Sequence, residues 1–86
     1  MPRISAFYGI SIYMYYRDHA PPHFHAIYGE YEAIVAIETS EVLDGVLPRR
    51  AGALVAEWGQ AHRDELSDAW AQARAGQPLP MIDGLE

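Results

Sequence analysis

The 86-residue sequence contains no cysteine, no lysine and no long apolar run. The absence of cysteine excludes disulfide bonds and thiolate metal ligands. No apolar stretch approaches the roughly 20 residues that span a bilayer. The first residues, MPRISAFYG, also lack the apolar core and cleavage site of a secretory signal. We therefore expect a cytoplasmic protein with no membrane segment.

The charge balance is acidic, with a formal net charge of −6. Extended binding of DNA or RNA needs a basic surface, so this charge argues against it, whereas a small RNA-contacting site remains compatible with it. All six basic residues are arginine, whose planar guanidinium binds phosphate and carboxylate in a way that lysine does not. Genome composition is the plainer explanation of the use of arginine in place of lysine.

The length predicts one domain, residues 1–86. Half of the residues are hydrophobic and 21% are charged, which is typical of a soluble globular protein. A chain this short buries a small share of its surface, so its core is marginal. A homo-oligomer or a small partner protein would stabilise it.

Residues 1–46 have the pattern of an antiparallel sheet. The run ISIYMYYR, residues 10–17, alternates with period two, as a half-buried strand does. Gly9 precedes this run and allows residues 4–8 to form a short partner strand.

A second pair of strands follows the two prolines. The runs HFHAIY and YEAIVAIE flank the pair Gly29-Glu30, a spacing typical of a tight hairpin. We therefore expect a meander of three or four antiparallel strands, with a short extra strand near residues 41–46 as an option.

Residues 47–76 have the pattern of one long amphipathic helix. Proline is tolerated in a first helical turn, and Gly76 is a suitable stop. The apolar stripe recurs at steps of three and four residues and comprises Leu54, Val55, Trp58, Ala61, His62, Leu66, Ala69, Trp70 and Ala73. The helix should pack across the sheet, followed by an extended tail, residues 77–86. The expected fold class is therefore α+β.

The segment RDHAPPHFH, residues 17–25, concentrates three of the four histidines. On a strand, His23 and His25 project from the same face, roughly 6–7 Å apart, and Phe24 points to the core. Two imidazoles at that spacing can share one metal ion such as zinc. The preceding loop offers Asp18 or His19 as a third ligand. We take His23, His25 and Asp18 as the candidate metal set.

The same segment also permits catalysis without a metal. Histidine takes and gives protons near neutrality. A small ribonuclease needs a base, an acid and an arginine for the phosphate. The candidate catalytic residues are therefore His19, His23, His25 and Arg17, and the candidate substrate is RNA.

A purely structural role for these residues remains open beside the metal site and metal-free catalysis. His23 and His25 can be polar residues on an exposed sheet face, and Asp18 can cap the turn. Tyr13, Tyr15 and Arg17 on one strand face can form a stacking platform for bases, or this face can pack against a helix or a second subunit.

Two features of the helical half also bear on function. His62 lies beside the apolar stripe and is better placed as a boundary residue than as a metal ligand. The pair Arg49-Arg50 stands where a helix dipole prefers anions, which hints at a carboxylate or a bound anion beside it.

Nearly the whole chain resembles a small prokaryotic family catalogued as domain of unknown function family 4160. Its most specific segment is RDHxPPHFH, and the other matching segments are FYGI, AIYGEYEA, LPRR, W-x3-HR-x-EL and ARAGQPL. The resemblance supplies no established activity. It implies a setting, because such genes lie beside another small gene in an arrangement similar to a toxin–antitoxin operon, and the family is a candidate toxin on that ground.

Two classes of function follow. The first is a toxin-like enzyme that cleaves RNA or a related phosphodiester at the histidine cluster. The second is a non-catalytic interaction module, either a homodimer or the partner of a neighbouring gene product. A small histidine-based metal-binding protein is the third alternative.

Overall fold

The computed structural model describes residues 2–85. The two ends of the predicted domain, Met1 and Glu86, lie outside these described residues. The chain forms five strands followed by two helices: β1 (Arg3–Phe7), β2 (Ile10–Tyr13), β3 (His23–Tyr28), β4 (Tyr31–Ala36), β5 (Val42–Gly45), α1 (Arg49–Ala61) and α2 (Arg63–Arg74).

The strands form one antiparallel sheet in the order of the chain, β1-β2-β3-β4-β5. The α+β class and the meander are thus confirmed. The count of three or four strands is too low, because both short segments that flank the longer runs pair with their neighbours. The optional strand near residues 41–46 is β5.

Two-residue turns set the register of the sheet. Tyr8 and Gly9 have φ angles of 49° and 80°, as expected for a turn with two left-handed residues between β1 and β2. Gly29 has a φ angle of 60° and is followed by Glu30, which closes the predicted hairpin between β3 and β4. Tyr28 consequently pairs with Tyr31, and each earlier residue of β3 pairs with a later residue of β4.

The prediction of one helix over residues 47–76 is wrong. His62 separates α1 from α2 with φ and ψ angles of −114° and 25°. In a straight helix Trp58 and Trp70 would point about 120° apart around the axis, given 3.6 residues per turn. The break at His62 allows both indoles to be buried.

The core lies between the sheet and the helices. Trp58 is fully buried, and its ring centroid lies 5.4 Å from those of both Phe7 and Phe24. Phe24 is buried, as the strand pattern predicted, and so is Ala26, whereas Tyr28 at the end of β3 is exposed. No helix within residues 2–85 is both long and apolar enough to cross a membrane.

Residues 77–85, after α2, form no helix or strand, and this tail packs on its own chain. The Ile82 amide donates a hydrogen bond of 2.7 Å to the Ile4 carbonyl on β1. The Trp58 indole donates one of 2.7 Å to the Asp83 carbonyl. The tail therefore covers the outer edge of β1 and closes one side of the core.

Replacing Ile82 by alanine is expected to lower the free energy of unfolding by about 2–5 kcal/mol, because it empties a buried site. Only 4% of Ile82 is exposed, whereas its neighbour Met81 is 68% exposed. Met81→Ala is the matched control and should change stability by less than about 0.5 kcal/mol. Urea denaturation measures both variants, and equal effects would contradict a packed tail.

Candidate functional site

His23 is the first residue of β3, and it is buried rather than exposed. Only 2% of its surface is accessible. The alternative that His23 is a polar residue on an exposed sheet face is therefore excluded. The reason is Trp70 of α2, which lies over this end of the sheet. The ring centroids of Trp70 and His23 are 5.1 Å apart.

Both ring nitrogens of His23 have partners. Nδ1 lies 2.7 Å from the Pro21 carbonyl oxygen, and Nε2 lies 2.9 Å from Oδ2 of Asp18. A carbonyl oxygen can only accept, so Nδ1 carries a proton and donates it. Nε2 then presents either a second proton or a lone pair to the carboxylate.

His25 repeats this arrangement two residues along β3. Its Nδ1 lies 3.2 Å from Oε2 of Glu32, and its Nε2 lies 3.6 Å from Oδ2 of Asp18. That Nε2 is buried and has no hydrogen-bond partner among the described residues. The imidazole and the Tyr15 ring pack in a T-shaped arrangement, with centroids 4.5 Å apart.

Asp18 joins the two imidazoles. Its Oδ1 accepts a hydrogen bond of 2.8 Å from the His19 amide, and its Oδ2 faces Nε2 of both His23 and His25. Burial alone would raise the pKa of Asp18, but the hydrogen bond from the His19 amide, the hydrogen bond and charge of the His23 ring, and the nearby His25 ring together outweigh it and lower the pKa. The carboxylate is thus held in its ionised form.

The three predicted metal ligands come together. One ligand atom each from Asp18, His23 and His25 lies within 4.8 Å of the other two. Tetrahedral zinc, with bonds of 2.0–2.1 Å to nitrogen and oxygen, separates its ligand atoms by about 3.4 Å. The observed contacts of 2.9 and 3.6 Å to Oδ2 bracket that separation.

The other two candidate residues lie at the margin of this cluster. The side chain of His19 is 84% exposed, and its Nε2 lies 3.7 Å from Oδ1 of Asp18. Arg17 turns away, because its guanidinium lies against Gly76 and its amide donates to the Ala73 carbonyl at the end of α2. The structure therefore groups the three histidines with Asp18, whereas Arg17, from the same loop, lies against the end of α2.

His62 lies apart from the cluster, at the junction of α1 and α2. Its ring packs on Trp58 with centroids 5.5 Å apart, and its Nδ1 contacts the Glu65 carboxylate. This half-buried position is the boundary position that the helical stripe predicted.

Glu32 and Trp70 belong to the site and were missed by the sequence reasoning. For Glu32 a signal existed. The turn at Gly29-Glu30 pairs Glu32 with Ile27, and Ile27 shares a strand face with His25, so the two side chains are diagonal neighbours. For Trp70 there was no local signal, because its position depends on the bend at His62.

The family model for a domain of unknown function (DUF4160) matches residues 9–71. This range includes every residue of the cluster together with Glu32 and Trp70. No curated protein and no solved structure matches the chain. The chain belongs to the DUF4160 family.

Proposed function

We propose that the protein binds one divalent transition-metal ion through Asp18, His23 and His25, and zinc is the first candidate. One observation carries the proposal. The Nε2 atoms of both imidazoles converge on one carboxylate oxygen, while both Nδ1 atoms are engaged elsewhere. A metal-binding histidine commonly donates its other N–H to a carbonyl or a carboxylate in this way.

Proton accounting supports a cation at this point. A neutral His23 that donates through Nδ1 has only a lone pair at Nε2, which would face the lone pairs of Asp18 at 2.9 Å. Either an additional proton or a metal ion removes this repulsion. The buried Nε2 atom of His25 has no hydrogen-bond partner within residues 2–85, and a metal ion would supply one.

Burial makes a metal-free pair of His23 and His25 a weaker candidate for acid–base catalysis. Direct proton transfer needs a histidine nitrogen within hydrogen-bond reach of the substrate. Both nitrogens of His23 are occupied and its ring lies under Trp70, and Nε2 of His25 is buried. Of the four histidines, all within residues 2–85, only His19 is fully exposed, so it has no equally exposed histidine to act with it.

The metal proposal also gives the expected toxin-like activity a chemical basis. A divalent metal held by three protein ligands keeps a coordination position open and activates water for hydrolysis. The side chains of Asp18 and His25 are partly exposed, and His19 stands beside them toward solvent. We therefore propose phosphodiester hydrolysis, with RNA as substrate, as the activity of this site in a toxin–antitoxin setting.

Zinc binding tests the site itself. We expect one zinc per chain, and at least about tenfold weaker binding for Asp18→Asn, His25→Ala and Glu32→Gln, because the first two lose a ligand and the third loses a ligand's partner. His62→Ala removes a half-buried histidine elsewhere and should bind normally. Affinity should fall as the pH is lowered, because protons compete for the ligands. Calorimetry and elemental analysis measure these values, and equal loss in His62→Ala would contradict the site.

Growth of a bacterial host tests the activity. Induction of the wild-type chain or His62→Ala should arrest growth and yield cleaved RNA, whereas His25→Ala at equal soluble expression should do neither. Arrest by all three would show that harm does not need the metal site. Growth with all three would contradict a free-standing toxin in that host.

A second candidate function is protein interaction through β5, and a specific observation favours it. The tail covers the outer edge of β1, whereas all four residues of β5 are exposed, and within residues 2–85 no strand covers its outer edge. The exposed apolar side chains here are Val42, Leu43 and Val46. An open apolar edge strand is a template for pairing with another chain, and we propose a second copy as the simplest partner.

Charge placed on β5 tests this candidate. Leu43→Lys and Val46→Lys should convert a dimer into a monomer, because an edge lysine opposes strand pairing. Met81→Lys is the matched control, since Met81 is at least as exposed as Leu43 and Val46 but lies in the tail. Sedimentation velocity measures the oligomeric state, and a wild-type chain that stays monomeric at high concentration would contradict the homodimer.

A further inference from the structure

A cavity of about 300 Å³ lies at the end of the sheet opposite the histidine cluster. It opens between the β1–β2 turn, the end of β3, the start of α1 and the tail. Its lining includes Tyr8, Tyr28, Arg50, Leu54 and Glu57. His23 and Tyr28 stand at opposite ends of β3, about 16 Å apart at 3.3 Å per residue. The cavity is therefore separate from the proposed metal site.

We propose that this cavity binds one nucleotide unit, with the base against the tyrosines and the phosphate on Arg50. The volume is at the lower end of small-molecule sites and suits a single unit rather than a length of strand. The acidic net charge agrees with this limit, because wrapping a strand requires many cationic contacts.

The unusual backbone conformation of Tyr8 is the first evidence that this cavity binds a ligand. Tyr8 occupies a turn position with φ of 49°, where a bulky residue is a backbone outlier and asparagine is preferred. Its side chain is nevertheless 56% exposed, so burial of the ring does not offset this conformational cost. The exposed ring of Tyr28 stands beside the turn, close to Gly9. Tyrosine rings stack on nucleobases without regard to sequence.

The two charged side chains of the cavity suit the other parts of a nucleotide. Among residues 2–85, neither Arg50 nor Glu57 forms a salt bridge, although both line the same space. A guanidinium binds a phosphate through two parallel hydrogen bonds. A carboxylate accepts hydrogen bonds from the exocyclic amine of a base.

The surrounding charge favours an anion at Arg50 as well. The first turn of α1 contains Arg49 and Arg50 and no acidic residue, and the N-cap residue, Pro48, makes no side-chain hydrogen bond to its amides. The unfavourable placement of these arginines against the helix dipole is offset when a phosphate binds there. The ligand is a nucleotide unit, either free or within single-stranded RNA.

Titration of the full-length chain by two-dimensional NMR tests this proposal. The probes are adenosine and guanosine monophosphate, the nucleosides alone, inorganic phosphate, and a single-stranded hexaribonucleotide. We expect saturable shifts at Tyr8, Tyr28 and Arg50 with the monophosphates, and weaker binding of the nucleosides and of phosphate. Tighter binding of the hexamer than of the monophosphates would assign the ligand to RNA, and equal binding would assign it to free nucleotide.

Two matched substitutions separate binding from folding. Arg50→Gln should weaken monophosphate binding at least about tenfold, because a charged hydrogen bond is lost. Arg49→Gln removes the same charge next to the cavity and should weaken it less than threefold. Tyr8→Asn should abolish binding yet preserve or raise stability, because asparagine tolerates the turn.

Three results would overturn the proposal: no saturable shifts with any probe, equal weakening by Arg49→Gln and Arg50→Gln, or unchanged binding by Tyr8→Asn. Zinc affinity of the Tyr8→Asn and Arg50→Gln variants should match that of the wild type. This comparison keeps failure of the cavity distinct from failure of the metal site.

Discussion

The structure depends on the buried pairing of His23 with Asp18. The imidazole is fixed on one side by the Pro21 carbonyl and on the other by the carboxylate, and Trp70 covers it. A polar group buried this deeply is costly unless its hydrogen bonds are made. These two hydrogen bonds tie the loop between β2 and β3 to the start of β3, and they place Asp18 beside His25.

The fold around this pairing follows from the tight turns of the sheet and from one bend between the two helices. Tight turns set the register that brings Glu32 beside His25. The bend at His62 then allows α1 to bury Trp58 and α2 to place Trp70 over the end of the sheet. The proposed metal ligands lie at one end of β3 and the proposed nucleotide cavity at the other, so the sheet separates two sites of different chemistry.

The sequence was sufficient for the elements that local physics determines. Alternation located β2, the Gly29-Glu30 pair located the hairpin, and the spacing of His23 and His25 pointed to the cluster that the structure brings together with Asp18. It was insufficient where two distant segments meet. The burial of His23 depends on Trp70, and the direction of Arg17 depends on the end of α2. Neither contact leaves a periodic signal, and the break at His62 follows from burying two indoles rather than from a helix-breaking residue.

The most direct test of the account is the protonation of the two imidazoles, measured by long-range proton–nitrogen NMR with and without zinc. The account predicts that in zinc-bound protein His23 and His25 both carry their proton on Nδ1, and that both Nε2 resonances shift on zinc addition while those of His62 do not. Unchanged Nε2 resonances at saturating zinc, or shifts confined to the exposed His19, would contradict it.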